Sequence, residues 1–313
     1  MPEVSEIVLM CQYLKSKLKN KIIEKIEILN DKYTRKSFNY IDIIETKYII
    51  KNIDSKGKLM WFKLCYDNSN ECSNECSNDL YFMSHMGLTG IWSFNESKNS
   101  RIKIKLNNTN TNTYLYFNDA RNFGKIEILN QKEYIQKTNL LADDVLKTAF
   151  TEQDFINIIE QFLNKSKKRY DQLIFKVLLE QNKKTGLFSG LGNYLTAEIL
   201  YDAKISPYRT IGSLSKHDLI TLSKSIKYIT KLSYYNNNTG YMNNFGSKYI
   251  KQHKLKIDEN KLPEYHNDIK IKKNDEFKFK VYGQKFDPSN NEVIADKKLN
   301  KGRTTYWVKN IQK

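Results

Sequence analysis

The chain is predicted to be an α+β protein: an antiparallel β-sandwich flanked by helices, then a helical domain that ends in a β-hairpin. Three observations lead there. Short β-rich runs crowd the stretch from about Lys21 to Leu129, helical periodicity takes over beyond Thr151, and two alternating runs close the chain. With 313 residues the chain is also long enough for two hydrophobic cores.

Taken in order, residues 3–19 place Val4, Ile7, Val8, Cys11, Leu14 and Leu18 at helical spacing, with lysines opposite and toward the end. This is an amphipathic helix that begins directly after Pro2. The runs KLMWFKLCY, DLYFMSHMGLTGIWSF, RIKIKL and YLYFNDARNFGKIEIL alternate with Asn-, Ser- and Gly-rich loops, so residues 1–136 read as the sandwich domain. Residues 137–150 are less regular and read as a linker. From 151 to 275 the segments EQDFINIIEQFLNK and DQLIFKVLLEQ are helical, with a stop at Lys183 or Lys184. Glycine turns through Gly186, Gly190 and Gly192 precede a helix in YLTAEILYDA, and another helix covers about Lys216 to Tyr235. Residues 276–313 contain FKFKVYGQKFDPSNNEVIADKKLNKGRTTYWVKN, which alternates like two strands around a long turn.

Charge narrows the partner. Lys and Arg total 52 against 35 Asp and Glu, a formal net charge of +17, and the chain carries 21 Tyr. A polyanion contacted by stacking aromatic surfaces is expected, with nucleic acid ahead of an anionic membrane. No run approaches the roughly 18 apolar residues of a membrane span. The opening MPEVSEIVLM is acidic where a secretory leader is basic, so an intracellular protein is expected, and a monomer is the expected state. Cys11, Cys65, Cys72 and Cys76 are too few and too unevenly placed for a disulfide framework. Cys72, Cys76 and His85 lack the second ligand pair a structural zinc needs, so no metal and no cofactor are expected.

A small second residue favours removal of Met1, which would leave Pro2 with a free secondary amine. An α-amino group titrates near 7.7–8.0, well below lysine, and is therefore a competent nucleophile at neutral pH. Glu3 beside it would serve as a general acid and base. The same triplet also suits an ordinary helix start, through a proline in the first turn and an acid near the positive end of the helix dipole.

Read together with other segments, the triplet resembles the formamidopyrimidine-DNA glycosylase and endonuclease VIII family. MPEVSE keeps Pro2, Glu3 and Glu6, with Ser5 where the family has proline. Gly57-Lys58-Leu59-Met60 is similar to the family's lysine-bearing strand start, and His85-Met86-Gly87-Leu88-Thr89-Gly90 to its His-Leu-Gly-Met-(Ser/Thr)-Gly. Asp119-Ala120-Arg121-Asn122-Phe123-Gly124 is similar to Asp-Pro-Arg-Arg-Phe-Gly, and GLFSGLGNYLTAEIL to the helix-two-turn-helix signature.

The resemblance implies catalytic roles for Pro2, Glu3, Glu6 and Lys58. It implies damaged DNA as partner, with phosphate contacts from Lys58, Asn193 and Arg303. Leu88, Arg121 and Phe123 would fill the gap left by a flipped nucleotide, a gap that otherwise costs a few kcal/mol. The glycine turn before Asn193 would expose amides to a phosphate. VYG (281–283) and GRTT (302–305) match the family's finger, but its zinc cysteines align with Ser289, Glu292, Val308 and Ile311. A zincless finger of the endonuclease VIII-like type is therefore expected, with Val308, Ile311, Tyr306 or Trp307 buried in place of the metal. The implied activity is bifunctional, a DNA glycosylase and AP lyase of base excision repair. It would remove mainly oxidised pyrimidines and hydantoins through a Schiff base and β,δ-elimination. The alternatives are a formamidopyrimidine type acting on 8-oxoguanine, with a lesion-covering loop in Gly240 to Asp275, or a catalytically silent DNA-binding protein.

Overall fold

The computed structural model describes residues 2–33, 40–44, 48–66, 79–107, 113–236, 263–272, 274–300 and 302–313. Cys72, Cys76 and most of the polar stretch after Gly240 lie outside these residues. The chain divides into two compact units that part between Leu140 and Leu141, and Glu3–Ser5 group with the second.

In the first unit, helix α1 (Val4–Leu18) precedes strand β1 (Ile22–Ile28), the short helix α2 (Ile41–Ile44) and strands β2 (Tyr48–Lys56), β3 (Leu59–Tyr66) and β4 (Leu80–His85). There follow β5 (Ile91–Ser93), β6 (Ser100–Asn107), β7 (Thr113–Asn118), β8 (Lys125–Asn130) and helix α3 (Gln131–Thr138). The expected amphipathy of α1 holds only for its last turns. Residues 4–11 are buried all round, Leu9 and Met10 included, and exposed lysines begin at Lys15.

The strands form one antiparallel sheet in the order β5-β7-β6-β1-β2-β3-β4-β8. The sandwich arises because this sheet folds over on itself. Trp92 on edge strand β5 meets Phe62 on β3 at 5.3 Å and Phe82 on β4 at 5.8 Å, although both lie near the other end of the strand order. Strand β6 alternates buried and half-buried residues along its length, the period-two pattern of a strand with one face in a core. Helix α3 escaped the sequence reading; Asn130 and Glu133 close a capping box at its start.

The second unit holds β9 (Asp143–Asp144), α4 (Glu152–Asn164), α5 (Ile174–Leu179), β10 (Phe188–Ser189), α6 (Asn193–Asp202), α7 (Lys216–Tyr235), β11 (Ile294–Asn300) and β12 (Arg303–Trp307). Thr151 with Asp154 and Ser215 with Asp218 form capping boxes that start α4 and α7 where the sequence places them. Two expectations need correction. Residues 137–150 are not a bare linker, since β9 pairs in parallel with β10 and Val145, Leu146 and Phe150 are buried. Helix α5 ends at Leu179, short of Lys183.

The terminal hairpin also differs from its prediction. Its strands are β11 and β12, paired antiparallel from Ile294 with Trp307 to Asn300 with Arg303, so FKFKVY is not the first strand. The backbone amides of Lys280, Val281 and Tyr282 turn instead onto the Glu198 carboxylate of α6, at 2.8–3.1 Å. Below the hairpin, Ala197, Val281, Val293 and Val308 form an apolar cluster with Tyr201, Tyr282, Tyr306 and Ile311 against it. Among the described residues no helix is long and apolar enough to cross a membrane.

Candidate active site

Helix α6 begins without a cap of its own. Its N-cap is Gly192, which offers no side-chain acceptor for the orphan amides of the first turn. The acceptor comes from far away in sequence. The Glu3 carboxylate receives the amides of Gly192 at 2.6 Å, Tyr194 at 2.9 Å and Leu195 at 3.2 Å, and Glu3 is only 1% exposed. The positive end of the helix dipole and three aligned donors fix both oxygens of this acid. A Cβ at Gly192 would run into the Glu3 carboxyl group, which would have to shift to admit it.

This overturns one expectation. The amides of Gly192, Tyr194 and Leu195 are engaged by a carboxylate and are not open to a phosphate. The Asn193 side chain, 9% exposed, donates from Nδ2 to the Thr304 carbonyl of β12 at 2.7 Å. Asn193 thus ties the hairpin to α6. Arg303 is exposed at the start of β12, just after the turn. Of the four positions aligned with zinc cysteines, Ser289 and Glu292 are exposed, Val308 is buried and Ile311 lies against the apolar cluster. No group of three or more His, Cys, Asp or Glu able to hold a metal occurs among the described residues.

Pro2 and Glu6 are buried in the first unit. Lys58, half-buried, sits in the two-residue turn between β2 and β3, where Lys56 pairs with Leu59. Leu88 lies on the β4–β5 loop, while Arg121 and Phe123 lie on the β7–β8 loop; Phe123 is 58% exposed. Beneath them is a residue not singled out from the sequence. The Asp119 carboxylate, fully buried, accepts from the Thr89 hydroxyl at 2.6 Å, the Gly124 amide at 2.7 Å, the Tyr33 hydroxyl at 3.0 Å and the Arg121 amide at 3.3 Å. The signal was available: an aspartate leading a tight loop closed by glycine.

Burial opposes the charged form of Asp119, but the hydrogen bonds from Thr89, Gly124, Tyr33 and Arg121 outweigh it and hold the carboxyl below its ordinary value. A carboxyl depressed in the folded state stabilises above its unfolded value of about 4, and that stabilisation is lost as pH falls through the folded value. Thermal unfolding followed by tryptophan fluorescence should therefore show wild type losing stability below about pH 4 more steeply than Asp119→Asn. Equal acid slopes would remove Asp119 from the balance.

Sequence profiles described as the formamidopyrimidine-DNA glycosylase N-terminal and C-terminal domains match residues 1–126 and 267–313, together more than half of the chain. The formamidopyrimidine-DNA glycosylase of Mycoplasma genitalium is 27% identical over 100% of this chain and 96% of its own length. That of Prochlorococcus marinus strain MIT 9515 is 28% identical over 74% of this chain and 80% of its own. Among solved structures, the MutM (Fpg) protein of Thermus thermophilus aligns with a TM-score of 0.70 at 18% identity, covering 99% of this chain and 98% of the other. Lactococcus lactis Fpg in complex with DNA containing an abasic site aligns with a TM-score of 0.71 at 17% identity, covering 99% of each chain. These matches define an enzyme of the DNA N-glycosylase and AP-lyase class. The chain belongs to the formamidopyrimidine-DNA glycosylase family.

Proposed function

We propose that the chain excises oxidised bases from DNA with the Pro2 amine as nucleophile and then opens the abasic site. The observation that carries this reading is the Glu3 carboxylate, held by three amides in the residue next to Pro2 in sequence. Glu3 protonates the sugar ring oxygen as the Pro2 nitrogen attacks C1′ and the bond to the base breaks; the base departs with a proton. The nitrogen sheds its own proton, and its lone pair then expels the protonated ring oxygen from C1′ as the O4′ hydroxyl, which leaves an iminium at C1′. Loss of a C2′ proton then breaks the bond from C3′ to phosphate, and a second elimination breaks that from C5′.

Ring-opened purines are the first substrate class, because the relatives named above are formamidopyrimidine-DNA glycosylases. Oxidised pyrimidines and hydantoins form a second reading. It is favoured by the finger, whose apolar cluster around Val308 occupies ground that zinc thiolates hold in other members, in keeping with an endonuclease VIII-like zincless finger. Lys58 and Arg303 contact phosphates beside the lesion, Leu88, Arg121 and Phe123 replace the extruded nucleotide in the stack, and Glu6 supports the acid from within α1. The enzyme acts inside the cell, as a monomer, without metal or cofactor.

Borohydride reduction in the presence of lesion-bearing duplex tests this. A covalent adduct is expected with the processed chain and none when Met1 is retained, since the nitrogen is then an amide. An adduct of equal yield in both would place the nucleophile elsewhere.

A further inference from the structure

The residues expected to fill the vacated stack sit on two loops distant in sequence, Leu88 on one and Arg121 and Phe123 on the other. Nothing in either loop alone would hold them at a fixed separation. We propose that Asp119, acting with Thr89, is the positioning residue that locks these two loops into a single wedge; this rests on the base-flipping reading above.

The bonds are arranged for that task. The Thr89 hydroxyl donates to Asp119 at 2.6 Å and accepts the Arg121 amide at 3.1 Å, so one side chain of the β4–β5 loop is built into the β7–β8 loop. Asp119 in turn receives the amides of Arg121 and Gly124, which bracket Phe123 on both sides. The contact continues in the backbone. Gly87 has φ +59, and a Cβ there would strike the Phe123 carbonyl group, so the two loops touch main chain to main chain. Asn122 adopts φ 56, a left-handed turn that bulkier residues resist.

The network is anchored from below as well. The Asp119 carbonyl accepts from Arg101 at 2.8 Å, and its amide donates to the Asn99 carbonyl at 2.8 Å, both from the strand-and-turn region of β6. Asp119 is fully buried and Thr89 half-buried, whereas Arg121 and Phe123, whose backbone they grip, are exposed. A ring and a guanidinium are thus presented to solvent from a backbone that has no freedom to retreat. Inserting such groups into duplex DNA demands a rigid mount, because a floppy wedge would lose in ordering entropy what it gains in stacking.

The test separates positioning from chemistry. Excision from a lesion duplex requires extrusion of the nucleotide, whereas elimination at an abasic site in single-stranded DNA does not. Asp119→Asn and Thr89→Val should slow single-turnover duplex excision by about tenfold or more and leave single-strand abasic cleavage within about twofold of wild type. Thr89→Ser, which restores the hydroxyl, should recover duplex excision. Parallel loss of both activities in Thr89→Val, or loss of neither, overturns the proposal. Should Asp119→Asn fail to fold, the nearly isosteric Thr89→Val carries the decision. A wild type that forms no borohydride adduct would instead sink the underlying function.

Discussion

Glu3→Gln is expected to lower base excision by about 10²–10⁴-fold, the range for loss of a positioned general acid and base. Two effects combine. Glutamine has no proton to exchange near neutrality, and it has one acceptor where Glu3 uses two. In the wild type Oε1 serves Tyr194 while Oε2 serves Gly192 and Leu195. Whichever way the amide is turned, an NH₂ group faces at least one buried N–H, and an unmet buried donor costs about 1–3 kcal/mol. Single-turnover kinetics with a matched thermal melt separates the two. A rate within about threefold of wild type would show that Glu3 is no more than the cap of α6.

The largest effect on stability is expected at Glu198. This residue is buried, and burial pushes its carboxyl above the ordinary value in spite of the amides of Tyr282, Val281 and Lys280 that favour the charge. Glu198→Ala strands those three amides and should cost about 3–5 kcal/mol, the range found when one partner of a buried charged interaction is removed. Glu198→Gln keeps an acceptor at Oε1, which receives all three amides at 2.8–3.1 Å, and removes a charge that burial disfavours. It should lose less than half as much. Denaturant unfolding of the two variants decides: equal losses would mean that the charge, rather than the acceptor, holds the finger segment.

The sequence was most legible where structure is local. Helix α7 runs from Lys216 to Tyr235 as predicted because Ser215 and Asp218 mark its start and its periodicity is unbroken. The strands from Leu59 to Leu129 were visible through their alternation of apolar and polar side chains. What escaped depended on partners far along the chain. FKFKVY alternates like a strand, yet three of its amides are claimed by Glu198, about 80 residues upstream, which no local pattern announces. Glu3 was legible as an acid but not as the cap of α6, since its partners lie about 190 residues away. The missing capping residue at Gly192 was the one clue. The amides at the start of α6 were read as open to a phosphate because helix termini attract anions, and that attraction is met here by the Glu3 carboxylate.

Gly192 also bears on inheritance. Its amide is taken by the Glu3 carboxylate, and a glycine codon becomes an alanine codon by a single nucleotide change. The added methyl would nevertheless collide with the Glu3 carboxyl group and drive it off its amides. If Glu3 acts as proposed, a lineage that loses this glycine would keep that acid in its reading frame and lose its placement. Tolerance to mutation in this gene is therefore set by the space beside a functional group as much as by the group itself.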